Sequence, residues 1–511
     1  MGRDLRDEGM RVLGSRSTTD LTRRELVKLA ASVAASAAIS GCRSNSRSRE
    51  LNASVLADPV YYSSATAIAA AIREKTISAV EIVDAFIARI EKVNSELNAV
   101  VQLRAGEARS EAQKADAALA RGEFWGPFHG VPMTIKDSLD TAGMISTGGT
   151  LGRREFIPDR DSTVVKRLKD SGAILLGKTN TPELTLSFET DNLVYGRTNN
   201  PYNLERTSGG SSGGAAAILA AGGAAFDIGS DMGGSIRLPA HFCGIAGLKP
   251  THGRVPRTGH IFPFGGTHDS FQQLGPLARH VEDLFPILQI IAGPDNIDPA
   301  IVPMPLGDPG KIDLASLRVG FHTDNGISTP TAETQSIVRA SANAMENAGA
   351  SVEESRPDGI ERSLEIAWQI WGADGRAATR RLLRQAGTKE FSIEVEGSAL
   401  DAESLDKVLT DWYAIRSEMS SYFETHDVII CPVNAGPAKL HGTSSFPLDD
   451  FSYTISYNFT GWPAGVVRVG ESPEGLPIAV QIVAAPARED VVLAVATHLE
   501  RIMGGFCPPP I

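Results

Sequence analysis

The sequence predicts a single α/β domain. Short apolar stretches typical of buried strands alternate with longer stretches of helical periodicity, and no long linker interrupts them after residue 60. The composition agrees, because 42% of the 511 residues are hydrophobic and 22% are charged, as in soluble globular proteins. This balance excludes collagen-like, coiled-coil and wholly disordered chains.

Helices dominate the first part of the predicted domain. Apolar residues recur at intervals of three and four over 80–90, and an alanine-rich, charged helix is expected over about 105–121. Farther along, the patterns predict strands over 131–136, 173–178, near 317–321 and over 427–431, helices over 332–349, 360–420 and 488–503, and an apolar segment over 478–483.

The first 42 residues resemble an export signal. The paired Arg23 and Arg24 resemble a twin-arginine motif, and they precede an apolar stretch over 29–40. That stretch is too short for a permanent membrane span, which takes about 20 residues. It ends in a lipobox-like sequence at Cys42, which would then carry a lipid. The alternative is an amphipathic N-terminal helix.

These features predict a signal peptide over 1–42, a flexible tether over 43–58 and a catalytic domain over 59–511. The protein would be exported to the periplasm or cell envelope, with membrane attachment through a lipidated Cys42.

Charge and cysteine content exclude several function classes. Lys and Arg number 49 against 61 Asp and Glu, a net charge of −12. Seven of these basic and five of these acidic residues lie in the first 42 positions, so removing that segment leaves −14. Such a balance argues against nucleic-acid binding. Four cysteines, at 42, 243, 431 and 507, are too few for a disulfide framework and lack metal-ligand spacing. We expect no metal and no cofactor.

Two glycine- and serine-rich segments concentrate the unusual chemistry. They run from Thr207 to Gly214 and from Gly229 to Pro239. Paired glycines permit positive φ and let backbone N–H groups converge on an anion, either a phosphate or a tetrahedral oxyanion. A serine beside such a group of N–H donors suits acyl transfer, because the nucleophile adjoins the charge that it creates.

Other interpretations of this tract are weaker. The Walker phosphate-binding pattern is not matched. Residues 209–213 match the G-x-S-x-G pattern of α/β-hydrolases, with later histidines at 426, 441 and 498, but a glycine-serine tract meets this pattern easily. A flexible linker is disfavoured because the tract continues into an apolar, alanine-rich segment.

The segment from Gly209 to Thr251 resembles the signature region of the amidase signature family. It contains the double-glycine, double-serine tract, the Asp-x-Gly-Gly-Ser-Ile-Arg-x-Pro core and the exit Phe242–Thr251. Further family-like motifs follow the family's order, at 130–137, 178–183, 198–201, 458–464 and 475–483. The resemblance covers most of 64–505. It implies one large α/β domain with a mixed, twisted central β-sheet flanked by helices.

The resemblance also implies a Ser–cis-Ser–Lys triad. Ser235 corresponds to the nucleophile, Ser211 to the bridging serine and Lys136 to the base. The oxyanion hole would consist of the backbone N–H groups of Met232, Gly233, Gly234 and Ser235, and the supporting positions are Ser212, Asp231 and Arg237. A purely structural ion pair between Asp231 and Arg237 remains equally open.

Lys136 can act as a base only in its neutral form. An exposed lysine has a pKa near 10.4, and burial lowers it. The apolar run 131–135 predicts a buried lysine, whereas Asp137 would oppose the shift if it faced the same way. The scheme needs no histidine, so His129, His241 and His252 are interpreted as packing or pocket-lining residues.

The implied activity is amide hydrolysis through an acyl-enzyme, with a small-molecule amide as substrate; a homodimer is compatible with it. The alternative within the family, a glutamyl-tRNA amidotransferase A-like subunit, is opposed by the export signal and the acidic charge. A non-catalytic surface lipoprotein is disfavoured because all three triad positions are intact. Six aromatic residues between 255 and 430 either line an acyl or aryl pocket or pack between helices: Phe262, Phe264, Trp368, Trp371, Trp412 and Tyr413.

The N-terminal motif generates a prediction about location. The protein should fractionate with the cell envelope, and replacing Arg23 and Arg24 together with lysine should retain it in the cytoplasm, because the twin-arginine route requires that pair. Cell fractionation followed by immunoblotting measures this. Envelope attachment that persists in Cys42→Ala would show that no lipid anchor at Cys42 is needed.

Overall fold

The alternating pattern folds around one large sheet. The computed structural model describes residues 56–57, 59–444 and 447–511. The predicted signal over 1–42 and all but two residues of the predicted tether therefore lie outside the described residues. The described strands are β1 (Val100–Leu103), β2 (Pro132–Lys136), β3 (Ile174–Thr179), β4 (Asn199–Asn200), β5 (Asn203–Thr207), β6 (Phe226–Asp231), β7 (Ala246–Lys249), β8 (Gln273–Ala278), β9 (Arg318–Phe321), β10 (Ser351–Glu354), β11 (Val428–Pro432), β12 (Ala464–Glu471) and β13 (Pro477–Ala484).

Eleven of these strands form a mixed sheet in the order β1-β3-β2-β6-β8-β7-β12-β13-β11-β9-β10. Parallel pairing occurs in two blocks, β3-β2-β6 and β11-β9-β10. The strands between these blocks pair antiparallel. The expectation of a mixed central sheet is confirmed. Because β2 and β6 are parallel neighbours, their carboxyl ends meet at the same edge, which is where the predicted catalytic residues lie.

Helices cover the sheet. They are α1 (Ala65–Arg73), α2 (Ala79–Leu97), α3 (Ala105–Ala120), α4 (Thr163–Asp170), α5 (Gly213–Ala220), α6 (Arg237–Phe242), α7 (Leu284–Ile291), α8 (Ala332–Asn347), α9 (Ser363–Gly372), α10 (Ala377–Ala386), α11 (Ala402–Ser420), α12 (Ser452–Thr460) and α13 (Glu489–Met503). Within the described ranges, no helix combines the length and hydropathy that crossing a membrane requires.

Local signals in the sequence explain where the first helices begin. Ser78 and Glu81 form a reciprocal capping box at the start of α2. The Asp116 carboxylate on α3 accepts the next two free N–H groups, those of Ala79 and Val80, at 2.7 and 3.1 Å. This contact fixes α2 against α3 as well as capping it.

Helix α5 owes its position to glycine rather than to helix propensity. A Cβ on Gly213 would lie 2.4 Å from Thr190 Oγ1, and one on Gly214 would lie 2.4 Å from the backbone nitrogen of Asn180. Every residue of α5 is buried. The two glycines therefore let the helix start directly behind the serine tract, against neighbouring backbone.

A similar close approach within the sheet yields a stability prediction. A Cβ on Gly275 in β8 would lie 2.1 Å from the carbonyl oxygen of Leu248 in β7, so Gly275→Ala should lower the free energy of unfolding by about 1–3 kcal/mol. The control is Gly106→Ala in α3, where a Cβ meets nothing within 4 Å. This substitution should raise the free energy of unfolding by about 0.5–1 kcal/mol, because alanine favours a helix more than glycine does. Urea unfolding measures both, and equal effects would contradict the packing argument.

Candidate active site

A buried lysine surrounded by hydroxyl groups lies at the centre of the site. Lys136 ends β2 and is 0% exposed. Its Nζ donates to Ser211 Oγ at 2.6 Å, and to Ser212 Oγ and Ser230 Oγ at 2.9 Å each. Among the described residues it forms no ion pair. The site thus replaces water around the amine with three hydroxyls and no compensating carboxylate.

This environment favours the neutral amine. Burial lowers the pKa of Lys136 to about 7, although the charges of Asp231 and Asp227 act in the opposite direction. Asp137, which follows Lys136 in the chain, faces elsewhere. Its carboxylate accepts from Thr147 and lies 4.0 Å from the Nζ of Lys178. The charges that raise the pKa of Lys136 are therefore those of Asp227 and Asp231, and not the charge of Asp137.

Asp227 lies behind the lysine on the adjacent strand β6. Its Oδ1 accepts the backbone N–H of Lys136 at 3.1 Å, and its Oδ2 accepts the hydroxyls of Thr134 and Thr179 at 2.7 and 3.0 Å. Burial raises the pKa of Asp227 to about 7 in spite of these donors. This carboxyl ties the end of β2 to β6 and so fixes the origin of the Lys136 side chain.

The two serine-bearing segments approach the lysine from different elements. The Gly210–Ser211 peptide bond is cis, and Ser211 is fully buried. Ser235 lies between the end of β6 and the start of α6 and is 7% exposed. Ser211 and Ser235 line the same small pocket, and the N–H of Ser212 donates to the carbonyl oxygen of Ser235 at 3.2 Å. All three predicted triad residues thus converge on one place.

Asp231 and Arg237 shape the turn that carries Ser235. The Asp231 carboxylate accepts the N–H groups of Gly234 and Ile236 at 2.9 and 3.1 Å. It also pairs with the Arg237 guanidinium at 2.9 Å, with both side chains 0% exposed. Arg237 holds the pKa of Asp231 well below its ordinary value, against the effect of burial. The ion pair therefore helps to fix the turn that carries Ser235.

Arg237 connects this turn to the distant C-terminal part of the chain. Its guanidinium donates to the carbonyl oxygen of Thr454 at 2.9 Å, to Gln481 Oε1 at 2.6 Å and to Asn458 Oδ1. Thr454 Oγ1 in turn donates to the carbonyl oxygen of Gly233 at 2.8 Å. Residues of α12 and β13 thus hold the turn from outside.

The four predicted oxyanion donors differ in availability. The N–H of Gly234 already donates to Asp231. The N–H groups of Met232, Gly233 and Ser235 make no hydrogen bond within the described part of the chain. These three donors remain available for an oxyanion beside Ser235.

A cavity of about 470 Å³ opens next to Ser235. Its apolar lining includes Phe188, Met232, Trp368 and Trp371. A much smaller inner pocket, of about 10 Å³, lies on the side of Ser211. Because Ser235 lines both, the candidate nucleophile stands where the two spaces meet.

Comparison with known proteins decides the family. The family model described as Amidase matches residues 81–493. The chain belongs to the amidase signature family. A fatty-acid amide hydrolase 2-B from Danio rerio is 33% identical and aligns over 89% of this chain and 92% of its own. The A-type chain of a glutamyl-tRNA(Gln) amidotransferase from Moorella thermoacetica is 34% identical over 86% of this chain and 97% of its own.

A solved structure of 6-aminohexanoate cyclic dimer hydrolase complexed with substrate has the same fold. Its TM-score is 0.78 at 29% identity, and the match covers 88% of this chain and 99% of that one. The α/β fold class expected of the amidase signature family is therefore confirmed, and with it a hydrolase acting on amide C–N bonds.

The histidines that the α/β-hydrolase interpretation would need contact residues other than those of the candidate site. His426 pairs with Glu353, His441 Nε2 lies 3.1 Å from the carbonyl oxygen of Leu204, and that of His498 lies 3.3 Å from the carbonyl oxygen of Ala344. His129, His241 and His252, interpreted above as packing or lining residues, line neither cavity.

The aromatic residues singled out between 255 and 430 divide between the two expected roles. Trp368 and Trp371 line the large cavity. Phe262 packs in an apolar cluster with Leu184, and the indole of Trp412 donates to the carbonyl oxygen of Phe459. Tyr413 is exposed.

Several site residues of this amidase signature chain escaped the sequence analysis. Asp227 carried a signal, since it is the one charged residue inside the apolar run 226–228. Ser230 could not be distinguished from the other serines of its tract. Thr185 lines both cavities with a φ of 63°, a costly conformation for a side chain branched at Cβ. His260 and Gln272, in the inner pocket, lie in segments without periodicity.

The buried ion pair leads to a stability prediction. Arg237→Met should lower the free energy of unfolding by about 3–5 kcal/mol, because it leaves Asp231 charged and buried without its partner. The control is Arg318→Met, which breaks an ion pair with Asp427 whose side chains are 45% and 30% exposed and should cost about 0–1 kcal/mol. Urea unfolding measures both. Similar small losses would indicate that the N–H donors alone stabilise Asp231.

Proposed function

We propose that the protein is an amidase that hydrolyses a carboxylic amide through Ser235, Ser211 and Lys136. The observation that carries the proposal is the 2.6 Å hydrogen bond from Lys136 Nζ to Ser211 Oγ in a fully buried site that Ser235 also lines. Family membership supports amide hydrolysis, and the local geometry supports these three roles.

In the proposed acylation step, neutral Lys136 takes the proton of Ser211, and Ser211 takes the proton of Ser235. Ser235 Oγ forms a bond to the amide carbonyl carbon, and the π electrons of the carbonyl move to its oxygen. The proton then returns through Ser211 to the leaving nitrogen as the C–N bond breaks. This gives an acyl-enzyme on Ser235 and a free amine or ammonia.

In deacylation, water attacks the acyl-enzyme and gives its proton to Ser211, backed again by Lys136. The carboxylic acid leaves and Ser235 regains its hydrogen. The same relay thus serves both halves of the reaction in opposite directions, and it returns to its starting protonation state after each turnover.

The proposed oxyanion hole consists of the N–H groups of Met232, Gly233 and Ser235. These donors are fixed before the substrate arrives, because Asp231 and Thr454 hold the turn from both sides. Each donor aimed at a developing oxyanion typically lowers the barrier by about 3 kcal/mol. The Gly234 N–H is already committed to Asp231, so it shapes the turn rather than binding the oxyanion.

The large cavity is the proposed acyl site. Trp368, Trp371, Phe188 and Met232 supply flat and polarisable apolar surface, which suits an apolar acyl or aryl group. We disfavour the amidotransferase alternative for this chain. The net charge of −14 expected after removal of residues 1–42 opposes binding to tRNA phosphates.

The base assignment predicts a pH profile. Lys136 must be neutral to accept a proton, and its pKa is lowered to about 7, so kcat/KM for an amide should rise with pH through about 7 and level off above it. Lys136→Ala should remove the rise and lower kcat/KM by about 10²–10⁴-fold, and Lys136→Arg should do nearly the same because guanidinium stays protonated.

Labelling by a fluorophosphonate probe provides the matched test of the nucleophile. Wild type should be labelled and Ser235→Ala should not, with thermal unfolding confirming that the variants fold. An unchanged pH profile in Lys136→Ala would assign the base to another residue, and labelling that persists in Ser235→Ala would assign the nucleophile to another serine.

A further inference from the structure

The inner pocket beside Ser211 has the size of one small molecule. Its volume of about 10 Å³ is close to what one water needs. Thr185, Met232 and Ser235 line both this pocket and the large cavity, so a carbonyl carbon held at Ser235 would direct one substituent into each space. Ser211, which would protonate the leaving nitrogen, lines the inner pocket and not the large one.

Two side chains of this pocket each carry a buried nitrogen atom without a partner within the described ranges: that of His260, a half-buried residue, and that of Gln272, a buried one. His260 Nε2 and Gln272 Nε2 have no hydrogen-bond partner among the described residues. A buried polar group without a partner is unfavourable, so the pocket favours a ligand that forms hydrogen bonds with these side chains. They are the only two residues of the pocket with an unpartnered buried side-chain nitrogen in the described part of the chain.

The hydrogen-bonding roles of these side chains follow from their surroundings. His260 Nδ1 accepts the N–H of Phe262 at 3.3 Å, which places the ring hydrogen of the neutral imidazole on Nε2. His260 therefore presents a donor. The unpartnered buried atom of Gln272 is its amide nitrogen, and a 180° rotation of the side-chain amide would put the carbonyl oxygen in its place, so Gln272 can act as donor or as acceptor.

Both residues are held by neighbouring backbone. His260 pairs with Leu139, three residues after Lys136, in an antiparallel bridge, and the next residue, Ile261, donates to the carbonyl oxygen of Ser138 at 2.8 Å. Gln272 directly precedes β8, and its N–H donates to the carbonyl oxygen of Asp269 at 3.2 Å. The pocket walls are thus fixed to the segment that follows β2 and to β8, the neighbour of β6.

We propose that the inner pocket holds a single –NH₂ group, ammonia molecule or water molecule, and that it restricts the enzyme to primary amides. The site would hold the –NH₂ group of the substrate, then the ammonia released, and then the hydrolytic water. His260 and Gln272 would be its specificity-determining residues. This proposal rests on the function proposed above and goes beyond it by naming the leaving group.

The amide –NH₂ group can use Gln272 as an acceptor, whereas the His260 donor finds an acceptor only in ammonia or water. The amide –NH₂ donates a hydrogen to Gln272 Oε1, and its nitrogen lone pair forms only in the tetrahedral intermediate, where Ser211 O–H protonates it. After the C–N bond breaks, ammonia accepts from His260 Nε2–H. Water can replace it, accepting from His260, donating to Ser211 Oγ and keeping its second lone pair for the acyl carbon. An N-alkyl substituent would add a carbon for which the pocket has no room.

The test is a series of amides with one acyl group and a varied nitrogen: phenylacetamide, N-methylphenylacetamide and N-propylphenylacetamide, with hexanamide and N-methylhexanamide as a second acyl pair. Wild type should hydrolyse each primary amide with a kcat/KM at least 100-fold above that of its N-methyl partner. This measurement needs no variant, so it cannot fail through misfolding. Values within threefold of each other would overturn the proposal and leave the amidase assignment intact.

Variants then test the two residues. His260→Ala and Gln272→Ala should each lower kcat/KM for the primary amide and narrow the ratio between primary and N-methyl amides at least tenfold. The matched control is His252→Ala, a half-buried histidine that lines neither cavity and should leave the ratio unchanged. A large wild-type ratio that neither variant alters would overturn the assignment of the pocket to these residues.

Failure of the underlying function is distinguishable. If wild type consumed none of the five amides and the fluorophosphonate did not label Ser235, both the amidase proposal and this one would be wrong. Labelled enzyme that prefers N-alkyl amides would overturn only the inner-pocket proposal.

Discussion

The site depends on the amine of Lys136 being shielded from water without a carboxylate as its direct partner. A lysine placed in apolar surroundings needs either a carboxylate, which would hold its proton, or neutral polar partners that tolerate its loss. Three serine hydroxyls around Lys136 Nζ take the second course. The nearby aspartates are engaged by other groups: Asp231 by Arg237 and backbone N–H groups, Asp227 by two threonines and the Lys136 backbone. The environment of this amine therefore requires the tract of small residues as much as the turn that carries Ser235 does.

That requirement explains why the site is built mainly from backbone and small side chains. Glycines at 213 and 214 let α5 begin against neighbouring backbone, which brings Ser211 and Ser212 to the lysine. Larger side chains appear only one layer outward, in the apolar cavity and around Arg237. In the inner pocket, His260 and Gln272 are the two residues with a buried side-chain nitrogen that lacks a partner among the described residues.

Much of this arrangement could be predicted from the sequence because it follows local rules. The strand ending at Lys136 and the helices over 332–349 and 488–503 have clear periodicity, and the structure places them within two residues of those bounds. The serine tracts are recognisable as motifs. Strands β6 and β8 are harder, since Gly229 and Pro276 lower their strand propensity and only pairing with neighbouring strands stabilises them. His260 and Gln272 line a pocket that forms only when distant segments of the chain come together, so no local sequence pattern could identify them.

The contacts of Arg237 have a consequence for synthesis of the chain. The Arg237 guanidinium, which helps to shape the turn that carries Ser235, is held by residues 217, 221 and 244 positions farther along the sequence. Contacts between residues so far apart in the sequence form late, because the chain loses the entropy of closing the loop before the contacts lower the free energy. A ribosome-bound chain that has exposed Lys136, Ser211 and Ser235 still lacks the segments that fix the turn between β6 and α6. The candidate site consequently gains its geometry only when the segments of α12 and β13 have been made, and a shorter product would carry Lys136, Ser211 and Ser235 without an organised site.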